Sequence, residues 1–169
     1  MNLFEKSNKG ITNNHGFTLI ELMITVAVVL ILATIALPSN LISRQRSEVA
    51  EALHMTDNIR QHITDYYNSS LSFPADNNEA GEPEPDLLIG NKVSRIEIEN
   101  GAIHITMGNK VITSLQGKIL SIRPAVVTGS PNSPISWLCG SDKPVPGMTA
   151  VGINKTDLAD AMVPASCGN

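Results

Sequence analysis

Cysteine is nearly absent from the 169-residue chain: only Cys139 and Cys167 occur, too few for a disulfide-dense scaffold or a four-thiolate zinc site. Aromatic residues are also scarce, with one Trp, two Tyr and three Phe, which argues against aromatic cages and base-stacking platforms. Positive charge is in deficit. Twelve Lys and Arg stand against sixteen Asp and Glu, a net charge of −4, and the densest basic spot is Arg44 and Arg46. Such a chain is poorly suited to binding nucleic acid by phosphate neutralisation. No phosphate-binding loop, zinc-hydrolase, nucleophile-elbow or dinucleotide-binding motif is found, so no catalytic residue, metal site or cofactor is expected. A hydrophobic fraction of 42% excludes a disordered chain, and the length suits one domain plus a targeting segment.

The apolar residues are unevenly spread. From Phe17 to Leu37 the only charge is Glu21. As a helix this run would span about 30 Å, the thickness of a hydrocarbon core. A cleavable secretory signal would have a shorter apolar region and a small-residue cleavage site; Ala33 and Ala36 match that pattern poorly. Lys6 and Lys9 before the run balance Arg44 and Arg46 after it, so flanking charge does not orient it. Glu21 is costly inside such a segment and needs a partner. Its neighbours Phe17, Thr18, Leu22 and Thr25 offer no opposite charge, which places the expected partner at a chain terminus or on another molecule.

The stretch His15-Gly16-Phe17-Thr18-Leu19-Ile20-Glu21 resembles the prepilin signature of type IV pilins. The resemblance implies a leader, residues 1–16, that a membrane-embedded prepilin peptidase removes between Gly16 and Phe17. The new terminal Phe17 would be N-methylated, and the apolar helix kept. It also gives Glu21 a role: neutralising the α-amine of Phe17 on a neighbouring subunit within a filament. Two charges buried in an apolar core are tolerable only as a pair. The implied partners are other copies of the chain, the peptidase, the pilus assembly machinery and, before assembly, the inner membrane. The implied destination is a surface filament serving adhesion, twitching motility and, in some systems, DNA uptake.

Pro38 should kink the helix rather than end it. Downstream, Ile42, Val49, Leu53, Ile59, Ile63 and Tyr66 recur on one helical face. The helix is therefore expected from Phe17 to about Tyr67, roughly 75 Å, with residues 17–37 as its membrane half. Many pilins carry a second proline where Asn58 stands here, so the second half is expected to run smoothly. His54 and His62 have the wrong spacing for a zinc helix. Residues 68–169 would form the head. It opens with an acidic loop bearing Asp76, Glu79, Glu82, Glu84 and Asp86, which the resemblance places as the αβ-loop and whose spacing does not fit an EF-hand.

Two alternating runs, Arg95–Glu99 and Ala102–Met107, flank Asn100-Gly101, a strong hairpin signal. Ile96 and Ile98 should share a face with Ile103 and Ile105. Further strands are expected at Lys118–Val127 and Ile135–Cys139. Strands gathered after a helix indicate an α+β fold with an antiparallel sheet, here the pilin fold, with the second half of the long helix packed on the sheet. Ile135–Cys139 and the terminal Pro164-Ala165-Ser166-Cys167 resemble the stapled loop of type IVa pilins. A Cys139–Cys167 disulfide is implied, contributing roughly 3–4 kcal/mol. Three readings stand: a major pilin; a minor pilin or secretion pseudopilin; and a signal-anchored periplasmic domain.

Overall fold

The computed structural model describes residues 16–36 and 39–167. The chain divides into two compact units, Met1–Pro38 and Ser39–Asn169. In the first, α1 runs from Leu19 to Ala36. Its 18 residues rise about 27 Å, short of the expected 17–37 span, whose last residue Leu37 lies outside the described residues. Among the described residues no helix is long and apolar enough to cross a membrane. Pro38 and its expected kink, and the leader before Gly16, also fall outside them.

The second unit opens with α2 (Ser39–His54) and α3 (Asp57–Ser70). The smooth run expected to Tyr67 is broken at Met55 and Thr56. There the backbone tightens to three-residue hydrogen bonds, Met55 N–H to the Ala52 carbonyl at 3.3 Å and Thr56 N–H to the Leu53 carbonyl at 2.9 Å. The hydroxyl of the fully buried Thr56 also donates to the Leu53 carbonyl at 2.7 Å. That second bond competes with helix continuation. No proline or glycine marks the site. The chain then runs past the expected end to Ser70, closing at Leu71 in the left-handed conformation with its N–H on the Tyr67 carbonyl.

One antiparallel sheet receives these helices. Its strands are β1 (Val93–Glu99), β2 (Ala102–Met107), β3 (Ile119–Val127), β4 (Ser136–Cys139) and β5 (Met148–Ala150). The order is β1-β2-β3-β4, with β5 also on β3. Ala125 pairs with both Ser136 and Ala150, and Ile122 with both Ile103 and Cys139, so β5 lies on the same edge of β3 as β2. The hairpin has the expected register: Glu99 opposite Ala102, Ile98 opposite Ile103, Ile96 opposite Ile105. Asn100 and Gly101 both take positive φ, 49° and 79°. Gly101 is doubly required, because a Cβ there would lie 2.7 Å from the Phe73 ring.

The core lies between helices and sheet. Val49 and Ala52 of α2 and Ile59 and Ile63 of α3 are buried with Val93, Ile96, Ile98, Ile103, Ile105, Met107, Leu115, Leu120 and Ile122. Tyr67, rather than the expected Tyr66, is the buried tyrosine, and it stacks on Phe73 with ring centroids 4.4 Å apart. Ile42 remains 43% exposed. The architecture is the expected α+β fold of helix on antiparallel sheet.

The acidic loop is solvated, with Asp76, Glu79, Glu84 and Asp86 exposed, yet several of its acids are tied to the fold. Asp86 pairs with Arg95 at 2.9 Å, Glu82 meets His62 at 2.7 Å, and Glu79 accepts the Ala75 N–H at 2.8 Å. Asn77, only 3% exposed, accepts the Ile98 N–H at 2.7 Å and donates to the carbonyls of Ile96 and Pro83. It thereby covers the outer edge of β1, which among the described residues pairs otherwise only with β2.

Candidate assembly and processing site

Gly16, Phe17 and Thr18 precede α1 and are exposed, Phe17 to 83%. Thr18 occupies the N-cap position of α1 and Glu21 the third helical position. The Thr18 hydroxyl and N–H donate to Glu21 Oε2 at 2.9 and 3.2 Å, and the Glu21 N–H points back to the Thr18 hydroxyl at 3.3 Å. This is a reciprocal capping box, and its T-x-x-E spacing was readable in the sequence. It gives Glu21 hydrogen-bond partners within a turn, where the sequence offered no opposite charge. The donors are neutral, however, so the box fixes the carboxylate in place without cancelling its charge.

The rest of α1 leaves nothing polar unsatisfied on its side chains. Thr25 donates to the Leu22 carbonyl at 2.9 Å and Thr34 to the Ile31 carbonyl at 2.7 Å. Around these lie Leu19, Ile20, Leu22, Met23, Ile24, Val26, Val28, Val29, Leu30, Ile31 and Leu32, all about half exposed or more. A helix apolar on every side is at home only in lipid or among other apolar surfaces. Gly16, Phe17 and Glu21 thus sit together at the start of a helix whose apolar side chains are exposed.

The second expected constellation lies in the head. Cys139, at the end of β4, and Cys167 are disulfide-bonded with Cα atoms 5.3 Å apart. Both are buried and belong to the hydrophobic core. Between them Asp157 accepts the Ile119 N–H at 2.6 Å, and Thr156 accepts the Ser121 N–H at 3.0 Å, so the stapled loop is fastened along β3.

Two buried acid–base groups escaped the sequence reading. Glu48 is 5% exposed. It accepts the Ile112 N–H at 2.9 Å and faces Arg44 at 3.2 Å and Lys92 at 3.4 Å. Burial pushes its carboxyl up, but the Ile112 amide, Arg44 and Lys92 together hold it below its ordinary value. His104 on β2 is buried beside Ser121. Neither signals itself locally, since their partners lie far away in sequence. His54 faces Asp57 and His62 faces Glu82. Among the described residues no group of three His, Cys, Asp or Glu could hold a metal ion.

Comparison with known proteins covers both ends of the chain. The profile of the family described as Pilin (bacterial filament) matches residues 45–168. The profile of the prokaryotic N-terminal methylation motif matches residues 11–37. A type IV major pilin protein PilE1 of Neisseria gonorrhoeae is 33% identical over 92% of this chain and 88% of its own length. A type IV major pilin protein PilE of the same species is 36% identical over 76% of this chain and 75% of its own. The fimbrial protein EcpC of Eikenella corrodens is 36% identical over 75% of this chain and 82% of its own. A methylation motif on a naked apolar helix, joined to a disulfide-stapled head matched almost to its end, identifies the chain as a member of the type IV pilin family carrying a prepilin leader.

Proposed function

We propose that the chain is a structural, non-catalytic subunit that polymerises into a type IV pilus. The observation that carries this reading is the helix itself. α1 presents apolar side chains in every direction and at its start one carboxylate, Glu21, that meets no opposite charge among the described residues. Copies of the helix bundled together would bury that surface. The carboxylate then requires a cation at the same depth, and the α-amine of a processed neighbour supplies it. In this reading prepilin peptidase cuts between Gly16 and Phe17, Phe17 is N-methylated, and the Phe17–Leu37 run holds the subunit in the inner membrane until the assembly machinery draws it into an extracellular filament. Adhesion, twitching motility and DNA uptake are the filament's roles in this reading. The close likeness to proteins named as major pilins favours the major over the minor subunit.

The test is intact mass, with N-terminal fragmentation, of protein sheared from the cell surface. The reading expects an abundant species that begins at N-methylated Phe17 and is lighter by two hydrogens from the Cys139–Cys167 bond. A processed form confined to the inner membrane would make the chain a minor pilin or pseudopilin. An intact Met1 would refute processing.

A further inference from the structure

The face of the sheet turned away from the helices carries a group that the filament reading does not use. His104 is 2% exposed. Its cross-strand neighbours are Glu97 on β1 and Ser121 on β3. His104 Nδ1 lies 2.9 Å from the Ser121 hydroxyl. That hydroxyl also accepts the backbone N–H of Lys155 at 2.9 Å. Nε2 is turned toward the Glu99 carboxylate, which can only accept, so the neutral ring carries its hydrogen on Nε2 and Nδ1 accepts from the Ser121 hydroxyl. Nε2 stands 3.5 Å from Glu99 Oε2 and has no hydrogen-bond partner among the described residues.

Lys155 explains why. Its backbone is bound to β3, but its ammonium reaches β1, 2.6 Å from Glu99 Oε2 and 3.3 Å from Glu97 Oε2. The side chain therefore spans β2, on which His104 sits, and takes the two carboxylates that would otherwise neutralise an imidazolium. Arg95 occupies the other oxygen of Glu97 at 2.9 Å. The facing groups are thus Arg95, Glu97 and Glu99 from β1, Ser121 from β3 and Lys155 from the stapled loop.

We propose that His104 and Lys155 form an acid-released latch on the stapled loop: protonation of His104 frees the segment around Lys155 from the back of the sheet. The proton enters at Nδ1, the ring nitrogen without a hydrogen, and displaces the Ser121 hydroxyl from its lone pair. The Ser121 hydroxyl then loses its acceptor in a site without water access, and a second cation competes with Lys155 for Glu97 and Glu99. Burial, reinforced by the Lys155 ammonium, holds the imidazole below its ordinary value, so the latch stays shut at neutral pH and opens in acid. Release is local, because the Cys139–Cys167 bond keeps both ends of the loop attached.

The test uses the full chain in detergent micelles. Amide hydrogen exchange over residues 153–157 is measured at about pH 7.5 and about pH 5, corrected for intrinsic rates, and the His104 resonances are titrated by NMR. In the wild type, protection of this segment should fall about tenfold or more in acid, as expected for a lost buried hydrogen bond. In His104→Asn, whose side-chain oxygen still accepts from Ser121 but does not protonate, protection should be equal at both pH values. Lys155→Met should raise the His104 titration midpoint, and it decides the matter alone if His104→Asn fails to fold. An acid loss of the same size in wild type and His104→Asn, or a midpoint that Lys155→Met leaves unchanged or lowers, would overturn the latch.

Discussion

α1 and the head solve the same problem, the placement of polar groups in an apolar setting, at different ranges. In α1 each of the side-chain hydrogen bonds of Thr18, Glu21, Thr25 and Thr34 closes within three residues. The helix is locally complete in its hydrogen bonds, while its apolar surface stays exposed and its carboxylate meets no opposite charge among the described residues. In the head, the groups that decide the packing reach across the chain: Glu48 to Ile112, Asn77 to Ile98, Ser121 to Lys155. The head buries its own core and secures its own sheet edge. In the filament reading proposed above, the contacts that partners supply fall on the first turn and the surface of α1.

The sharpest way to break this comparison is to separate the two jobs of Glu21. Glu21→Gln keeps an amide oxygen for the Thr18 box but removes the charge. It should abolish surface filaments while leaving the protein cleaved and membrane-bound, as read by filament yield and intact mass. Thr18→Ala removes the cap and keeps the charge. It should cost about 1 kcal/mol of local helix stability and leave filaments abundant. Equal filament loss in both variants would mean that the cap, and not the charge, is what assembly requires.

In the head, the largest effect should follow loss of the staple. Cys139→Ser with Cys167→Ser is expected to lower stability by roughly 3–4 kcal/mol, measured by chemical denaturation of the full chain in detergent. Next comes Asn77→Ala, which leaves the Ile98 N–H and the Ile96 carbonyl without their partner on an edge strand. A loss of about 2–3 kcal/mol is expected, together with faster aggregation, because the uncovered edge of β1 can template pairing. Aggregation unchanged from wild type would show that another part of the loop covers that edge.

The two regions also differ in how far the sequence discloses them. The hairpin was readable to the residue, because Asn100-Gly101 dictates a two-residue turn and the isoleucines alternate around it. The apolar helix and its processing motif were readable for the same reason: their logic is local. The Thr18–Glu21 box is equally local, a T-x-x-E spacing at the head of an apolar run. The break at Thr56 was hidden because a buried hydroxyl, rather than a proline or glycine, tightens the turn. β5 was missed because Met148–Ala150 is only three residues long, too short for alternation to register. Glu48, Asn77 and His104 carry no local signal of burial, and only tertiary neighbours bury them. The same limit applies to the acidic loop, whose charge was legible but not its internal pairing.

The smallest expected effect tests whether a buried acid in the head behaves as its surroundings dictate. At neutral pH Glu48 is ionised in both folded and unfolded chains, and its bonds to Ile112, Arg44 and Lys92 contribute fully. Its folded carboxyl sits below the ordinary value, so as the pH falls through the usual carboxylate range the unfolded chain takes up the proton first. Stability falls with it until the folded carboxyl also protonates. Glu48→Gln keeps a group for the Ile112 N–H but gives up the charge. It should cost about 1 kcal/mol near pH 7, with the difference from wild type shrinking toward zero as the pH drops through and below the carboxylate range. Denaturation midpoints of both proteins along that pH series measure it. A gap that stays constant across the series would mean that Glu48 acts through its shape and hydrogen bonding, and that the cations around it contribute no net stabilisation.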